Sequence, residues 1–252
     1  MRRLIYRNLR TTYDLRPHLF FSLLLPTLIY IFIISLAYNK IVKPIPMYDR
    51  YLSYSAFFVP AAILINTLQL SILCGSMLWT DKYNGMLEQI LSFSSRAEYF
   101  LSRVLSIVII SSSTAITLGL LSTTIIKDEV SLSYATPFLF LYAVVMSSII
   151  FASLSFCVSA VVKTPDKLTM FNRMITTPII AISGIFYPPE YLPPLISEIA
   201  KFNPLTYAAN LIRASLLGIQ VNTAFQIATL TLFSGAMLII AYILFRKMDV
   251  AY

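Results

Sequence analysis

Charge is scarce in this sequence. Only 12% of the 252 residues are Asp, Glu, Lys or Arg, about half the share a soluble domain carries. Apolar residues make up 58%, and the mean hydropathy is +0.79. Acidic groups are the rarer sign, 11 against 19 basic ones. No Asp or Glu falls between Glu98 and Asp128, or between Asp166 and Glu190. A proton-coupled carrier needs an ionisable relay inside the bilayer, and these runs offer none. The single histidine, His18, stands at the edge of an apolar run, a structural or interfacial position. Cys74 and Cys157 both lie inside apolar runs and give neither metal-ligand spacing nor a disulfide framework. A nucleophile with its base, as intramembrane hydrolysis requires, cannot be assembled. The six glycines include no Gly-x-x-x-x-Gly-Lys phosphate loop, so hydrolysis of ATP within this chain is excluded.

What the sequence does contain is long apolar runs. They exceed the roughly 20 residues that cross a bilayer as a helix, so the spans are helices and not barrel strands. Six are expected, over 19–38, 55–79, 103–126, 137–162, 172–187 and 224–245. The first follows a basic leader and carries Ser35-x-Ala37, as a signal peptide would, but its apolar part is too long for one. Residues 2–16 place Arg3, Arg7, Arg10 and Asp14 on one helical face and Ile5, Leu9 and Tyr13 on the other. This reads as a basic amphipathic helix along the anionic inner surface of a membrane. Pro17 breaks it from the first span, and a polar, proline-containing loop over 39–54 follows that span.

Polar side chains inside the runs are few. Asn66 and Gln69 fall near the middle of the second span, and Thr176 and Thr177 in the fifth. At that depth such groups face protein or a water-filled path, as glue between helices or as the lining of a substrate route. Ser111, Ser112, Ser113, Thr114 and Thr117 suit close packing of the third span. Thr164, Pro165 and Asp166 form a compact helix-start signal. The fifth span is interrupted by Pro178 and Gly184 and runs into Pro188, Pro189, Pro193 and Pro194. Two short helices are expected next, 194–202 and 204–217. The second has Asn203 as cap, Pro204 in its first turn and Gly218 as its stop. Too short to cross, they read as a hairpin dipping into the outer leaflet.

Between the second and third spans lies a polar interlude, 80–102. Met86, Leu87, Ile90 and Leu91 would form one apolar edge of a short helix, with Glu88 and Gln89 turned away. So small a helix needs a surface to dock against. Either that surface is another protein, or the segment is an ordinary solvated loop with a helical turn.

Six spans put both termini, 80–102 and 163–173 on one side. That side holds 13 basic residues: Arg2, Arg3, Arg7, Arg10, Arg16, Lys82, Arg96, Arg103, Lys163, Lys167, Arg173, Arg246 and Lys247. The other holds 6: Lys40, Lys43, Arg50, Lys127, Lys201 and Arg213. The basic excess marks the cytoplasmic face, so both termini and the short helix are expected there, in a multi-pass protein of the cell membrane. It accounts for the net charge of +8 without nucleic acid, for which no motif is present.

Two motifs then carry a resemblance. One is Asp81 to Leu91 with its Gly85-x-x-Glu88-x-x-Leu91 core. The other is Gly184-Ile185-Phe186-Tyr187-Pro188 through Leu192-Pro193, then Asn203-Pro204-Leu205-Thr206-Tyr207 and Arg213. In order and spacing the chain resembles the permease subunits of ABC-2 type exporters, with wording closest to the drug-exporter-like branch. The resemblance implies an all-α membrane protein of six transmembrane helices. To these it adds an N-terminal interfacial helix, a cytoplasmic coupling helix and a broken, re-entrant outer hairpin. It implies that Asn84, Gly85, Met86, Leu87, Glu88, Ile90 and Leu91 contact a separate nucleotide-binding ATPase. That partner, present twice, would bind ATP and magnesium; no cofactor is expected in this chain. A second permease, identical or related, would complete the assembly. Facing surfaces of spans two and five would line the route, with Asn66, Gln69, Thr176 and Thr177 as candidates. Their lack of charge disfavours a strongly charged cargo and favours an amphipathic or lipid-like one. Phe186, Tyr187, Pro188, Asn203, Pro204 and Tyr207 would form the outer gate. Asp81-Lys82-Tyr83 departs from relatives that often carry Glu and Arg there, which puts the ATPase-facing salt bridges in question. The alternative is a passive channel or secondary carrier working without an ATPase.

Overall fold

Backbone groups in an apolar phase bond within their own segment, and the apolar runs of this chain fold as helices. The computed structural model describes residues 1–14, 17, 20–47, 50–124, 126 and 136–248. Arg16, His18, Lys127, Asp128 and Glu129, which the sequence assigned to sides or edges of a membrane, lie outside the described residues. Helix α1 is Arg2–Asp14. A second helical stretch, α2, covers 20–39 in alternating wide π turns (Phe20–Leu24 and Tyr30–Ile34) and α turns (Leu25–Ile29 and Ser35–Asn39). Pro26, which has no N–H to bond backwards, sits at the first of these transitions. The polar loop expected over 39–54 contains a small antiparallel hairpin, β1 (Ile45–Met47) with β2 (Arg50–Leu52), so the fold is helical with one β-hairpin.

The remaining helices are α3 (Tyr54–Tyr83), α4 (Met86–Leu91), α5 (Arg96–Ser122), α6 (Thr136–Val161) and α7 (Pro165–Ala181). They are followed by α8 (Pro194–Lys201), α9 (Pro204–Leu217) and α10 (Thr223–Lys247). Caps fix several starts: Ser53 accepts from the Ala56 N–H, Asn203 from Leu205 and Asn222 from Phe225. Ser95 and Glu98 form a reciprocal capping box at the start of α5. Among the described residues four helices are long and apolar enough to cross a membrane: Tyr54–Tyr83, Arg96–Ser122, Pro137–Val161 and Thr223–Lys247. Helix α7 starts at the expected Pro165 but ends at Ala181. Its 17 residues reach about 26 Å, less than the roughly 30 Å hydrocarbon core.

Helix α3 is the centre of the molecule, packed against α5, α6 and α9. Small side chains let α3 and α6 approach closely. Ser155 donates to the Ile72 carbonyl at 2.9 Å, and its hydroxyl lies 3.2 Å from that of Ser76. Ser71 and Ser111 meet at 3.2 Å across α3 and α5. Helix α10 buries a single stripe, Gln226, Leu230, Ser234, Ala241 and Phe245, and is otherwise open. The α3–α6 contact is tightest at Gly75, where an added Cβ would come 2.7 Å from the Ser155 Cβ and 3.1 Å from the Ala152 carbonyl. We expect Gly75→Val to destabilise the protein by about 1–3 kcal/mol through overpacking. The measurement is thermal unfolding of the purified chain in detergent; an unchanged melting temperature would contradict so close an approach.

Candidate functional site

The C-terminal end of α3 and the N-terminal end of α5 are joined by the short helix α4. Gly85, with φ of +67°, turns the chain out of α3 in a conformation that costs glycine little, and α4 starts at the next residue. Its apolar edge divides. Leu87 (0% exposed) and Ile90 (3%) insert into a cluster with Leu78, Tyr99, Phe100 and Phe245 of this chain. They are therefore not the surface left for a partner, as the sequence suggested for all four apolar residues. What stands outward is Met86 (45% exposed), Glu88, Gln89 and, beyond the helix, Phe93 at 73%. Asn84 is also exposed, and Leu91 is half-buried on the rim of a shallow depression with Glu88, Ser92 and Arg96. Phe93 was missed because it falls outside the helical repeat; a large aromatic in a serine-rich turn was the available signal.

Behind this surface lies a charge cluster. One carboxylate oxygen, Asp81 Oδ2, accepts from Arg7 at 2.6 Å, Tyr99 Oη at 2.6 Å and Arg103 at 2.5 Å. Arg103 is 2% exposed, so its cation depends on this partner. Asp81 thus points into the protein, and its interactions are with this chain's own arginines. The cluster ties α1 to the ends of α3 and α5. Leu4, Asn8 and Thr12 form the buried stripe of α1, whereas Ile5 and Leu9 are half-buried and Tyr13 exposed. Arg96, at the start of α5, donates to the carbonyls of Arg246 and Met248 and so holds the end of α10 in the same group.

Helix α7 runs antiparallel to α3. Leu168 near its start packs with Trp79, and the turn after its end is bonded to Phe57 through Arg213. Midway, Asn172 Nδ2 donates to Ser76 Oγ at 3.1 Å. Counting from that contact at 1.5 Å per residue, Gln69 and Thr177 lie at depths within about 3 Å of each other, and both are exposed. The other two route candidates turn inward. Asn66 Nδ2 donates to the Leu23 carbonyl and Thr27 Oγ1, joining α2 to α3, and Thr176 bonds to the Asn172 carbonyl of its own helix.

At the opposite end, Arg213 (1% exposed) holds the hairpin together. Its guanidinium donates to the carbonyls of Phe57, Gly184 and Ile185 at 2.9–3.0 Å and lies 3.7 Å from the Phe57 ring centroid. Asn203 donates to the Ile179 carbonyl, and Thr206 accepts from the Gly184 N–H. Pro204 opens α9, and Tyr207 donates to the Lys201 carbonyl. Pro188 is buried and Tyr187 exposed. Phe186 ends an aromatic stack running from Tyr38 through Tyr54 and Phe58. Most of α9 is buried against α6 and α3, so the hairpin is an integral part of the bundle.

The family model described as ABC-2 type transporter matches residues 1–217, through the end of α9. This chain belongs to the ABC-2 type transporter family. Among curated proteins the ABC-2 chain is similar to Nodulation protein J of Neorhizobium galegae, 31% identical over 102 residues, covering 40% of this chain and 37% of that protein. It is similar to Nodulation protein J of Rhizobium leguminosarum bv. viciae at 28% over 118 residues, 46% and 44% of the two chains. With the bv. trifolii protein the identity is 33% over 88 residues, 35% and 32%. Each match spans less than half of the relative's length. Family membership and the four long apolar helices make this ABC-2 chain a membrane protein.

Removing the acid at the centre of the charge cluster strands a buried cation. We expect Asp81→Ala to cost about 3–5 kcal/mol and the double change Asp81→Ala with Arg103→Met to recover most of the loss. Melting temperatures of the three proteins check this; equal stability of all three would show that Asp81 and Arg103 are not coupled.

Proposed function

We propose that this chain is the permease subunit of an ATP-driven exporter that moves an amphipathic or lipid-like substrate outward. In this reading α2 and α7 complete six crossings, both termini and α4 are cytoplasmic, and ATP with magnesium is bound by a separate ATPase present in two copies. A second permease, identical or related, faces the first across the exposed sides of α3 and α7, where Gln69 and Thr177 offer uncharged polar groups to a passing cargo. The outer end is closed by the turn at Phe186 and Tyr187, braced by Arg213.

The observation that carries the reading is the surface of α4. A short helix whose own apolar side is consumed by the bundle still presents Met86, Glu88, Gln89 and Phe93 outward, on the turn joining two long apolar helices. An exposed phenylalanine on a polar turn fits a protein partner better than solvent. Force applied there reaches α3 and α5 together, because Asp81 bonds one to the other. A partner shifts the balance between two permease conformations only by as much as its contact energy differs between them. A closing ATPase dimer, drawing two such feet together, supplies that difference.

The test is co-purification with a phosphate-loop ATPase encoded beside this gene. We expect Phe93→Asp with Met86→Glu to abolish co-purification and substrate-stimulated ATP hydrolysis while leaving the melting temperature of the isolated chain within a few degrees of wild type. Undiminished ATPase capture by this variant would sink the assignment of the surface. Transport persisting without ATP would favour the carrier reading instead.

A further inference from the structure

Helices α3, α6 and α10 are each long and apolar enough to cross a membrane, and their last turns meet around a pocket of about 280 Å³. Three lysines from three elements line it: Lys82 in the last turn of α3, Lys163 in the turn after α6 and Lys247 at the end of α10. Trp79 is buried in its wall, with its ring stacked on that of Tyr83 at 5.0 Å between centroids, and the exposed Val161 forms an apolar rim. Among the described residues no acid lines the pocket, and Lys82 and Lys247 form no ion pair. Asp81, beside Lys82 in sequence, is turned away to Arg7 and Arg103. Basic residues at helix C-termini ordinarily offset the partial negative charge there. The ends of α3 and α10 together carry about one negative elementary charge, half of what Lys82 and Lys247 bring. A cationic excess therefore remains, and it calls for an anion.

The position of the pocket says which anion. Helices that cross a bilayer end at its surface, where lipid phosphates lie and where Trp and Tyr gather. Basic pockets between the ends of spans are sites that take anionic headgroups. We infer that this pocket binds the headgroup of an anionic phospholipid of the surrounding bilayer, with its phosphate held by Lys82, Lys163 and Lys247 and its acyl chains leaving past Val161. A zwitterionic choline headgroup would add a cation where one is already in excess. The site does not depend on the transport reading. None of the α4 residues assigned to the ATPase lines it, and it lies at a bilayer surface whichever side faces the cytoplasm.

Trp79 is the chain's single tryptophan, so its fluorescence reports on the pocket. The experiment reconstitutes the full chain in phosphatidylcholine bilayers and compares quenching by phosphatidylglycerol brominated in its acyl chains with quenching by brominated phosphatidylcholine. Phosphatidylglycerol should lead by about fivefold or more in relative affinity, the worth of one lysine near an anionic surface. Lys82→Gln with Lys247→Gln should bring the ratio to near one. Lys40→Gln, at an exposed position by the opposite end of α3, should leave it unchanged. Free inorganic phosphate at matched ionic strength should not compete, because it lacks the chains that hold the lipid at the surface. Equal quenching by the two lipids, a preference that survives loss of both lysines, or displacement by free phosphate would each overturn the proposal, the last in favour of a soluble anion. A preference seen only after Asp249→Asn would overturn it too, by showing that the chain's own acid fills the pocket.

Discussion

One carboxylate oxygen holds three helix ends together. Asp81 Oδ2 receives a guanidinium from α1, a phenol and a second guanidinium from α5, all at 2.5–2.6 Å, while itself extending from α3. Without it Arg103 would be a charge buried in an apolar bundle, and α1 would lose the bond that ties Arg7 to the end of α3. Because the cluster lies immediately before the Gly85 turn, α4 hangs from a fixed point. Leu87 and Ile90 then lock the short helix onto that point from the inside. A foot only six residues long would otherwise be too small to keep its shape in water.

At the opposite end of α3 a second buried arginine meets backbone carbonyls. Arg213 spreads its donors over backbone carbonyls of α3 and of the turn after α7, and lies against the Phe57 ring. Helix α3 is therefore pinned by an arginine at each end, and between the pins it is seated on α6 through Gly75 and Ser155. Helix α2 is fastened to α3 along its length, by Asn66 near the middle, by the Asn39–Ser55 pair of hydrogen bonds at its end and by the Tyr38–Tyr54 and Tyr30–Phe58 ring contacts. Helix α7 is attached more lightly, by Asn172 and a single buried stripe.

Much of the plan was legible in the sequence because it rests on local chemistry. Long apolar runs, the caps at Ser95 and Asn203, Pro165 and Pro204 in first turns, and the stop at Gly218 each act within a few residues. They set where helices begin and end. What was not legible depends on partners distant in the chain. Nothing local tells that Asp81 turns inward, since its three donors come from residues 7, 99 and 103. A basic residue just inside an apolar run was nevertheless a clue, for a buried arginine demands an acid, but Glu98 and Glu88 stand nearer in sequence than Asp81 and nothing local chose among them. The apolar edge of α4 was read as docking on another protein, whereas its two buried members, Leu87 and Ile90, dock on this chain. Whether its surface lay on this chain or another was beyond a periodicity argument, which gives a direction around one helix and no knowledge of its neighbours. The hairpin at 45–52 is short, and its strand Ile45–Met47 contains a proline, which hides it from an alternation pattern.

The two arginine joints differ in what they hold in place. Apolar residues of similar volume often stabilise a core as well as a buried ion pair does, so stability alone does not require Asp81. Apolar contacts, however, are indifferent to small sliding displacements, because their energy follows buried area and not direction. A carboxylate oxygen shared by three donors loses its bonds when any helix end shifts by about an ångström, since hydrogen bonds weaken steeply away from their preferred geometry. At the α4 end, that directional stiffness couples any displacement of α4 to α3 and α5 together. At the other end Arg213 bonds backbone carbonyls of α3 and of the turn after α7, so what it fixes is the path of the chain around the hairpin.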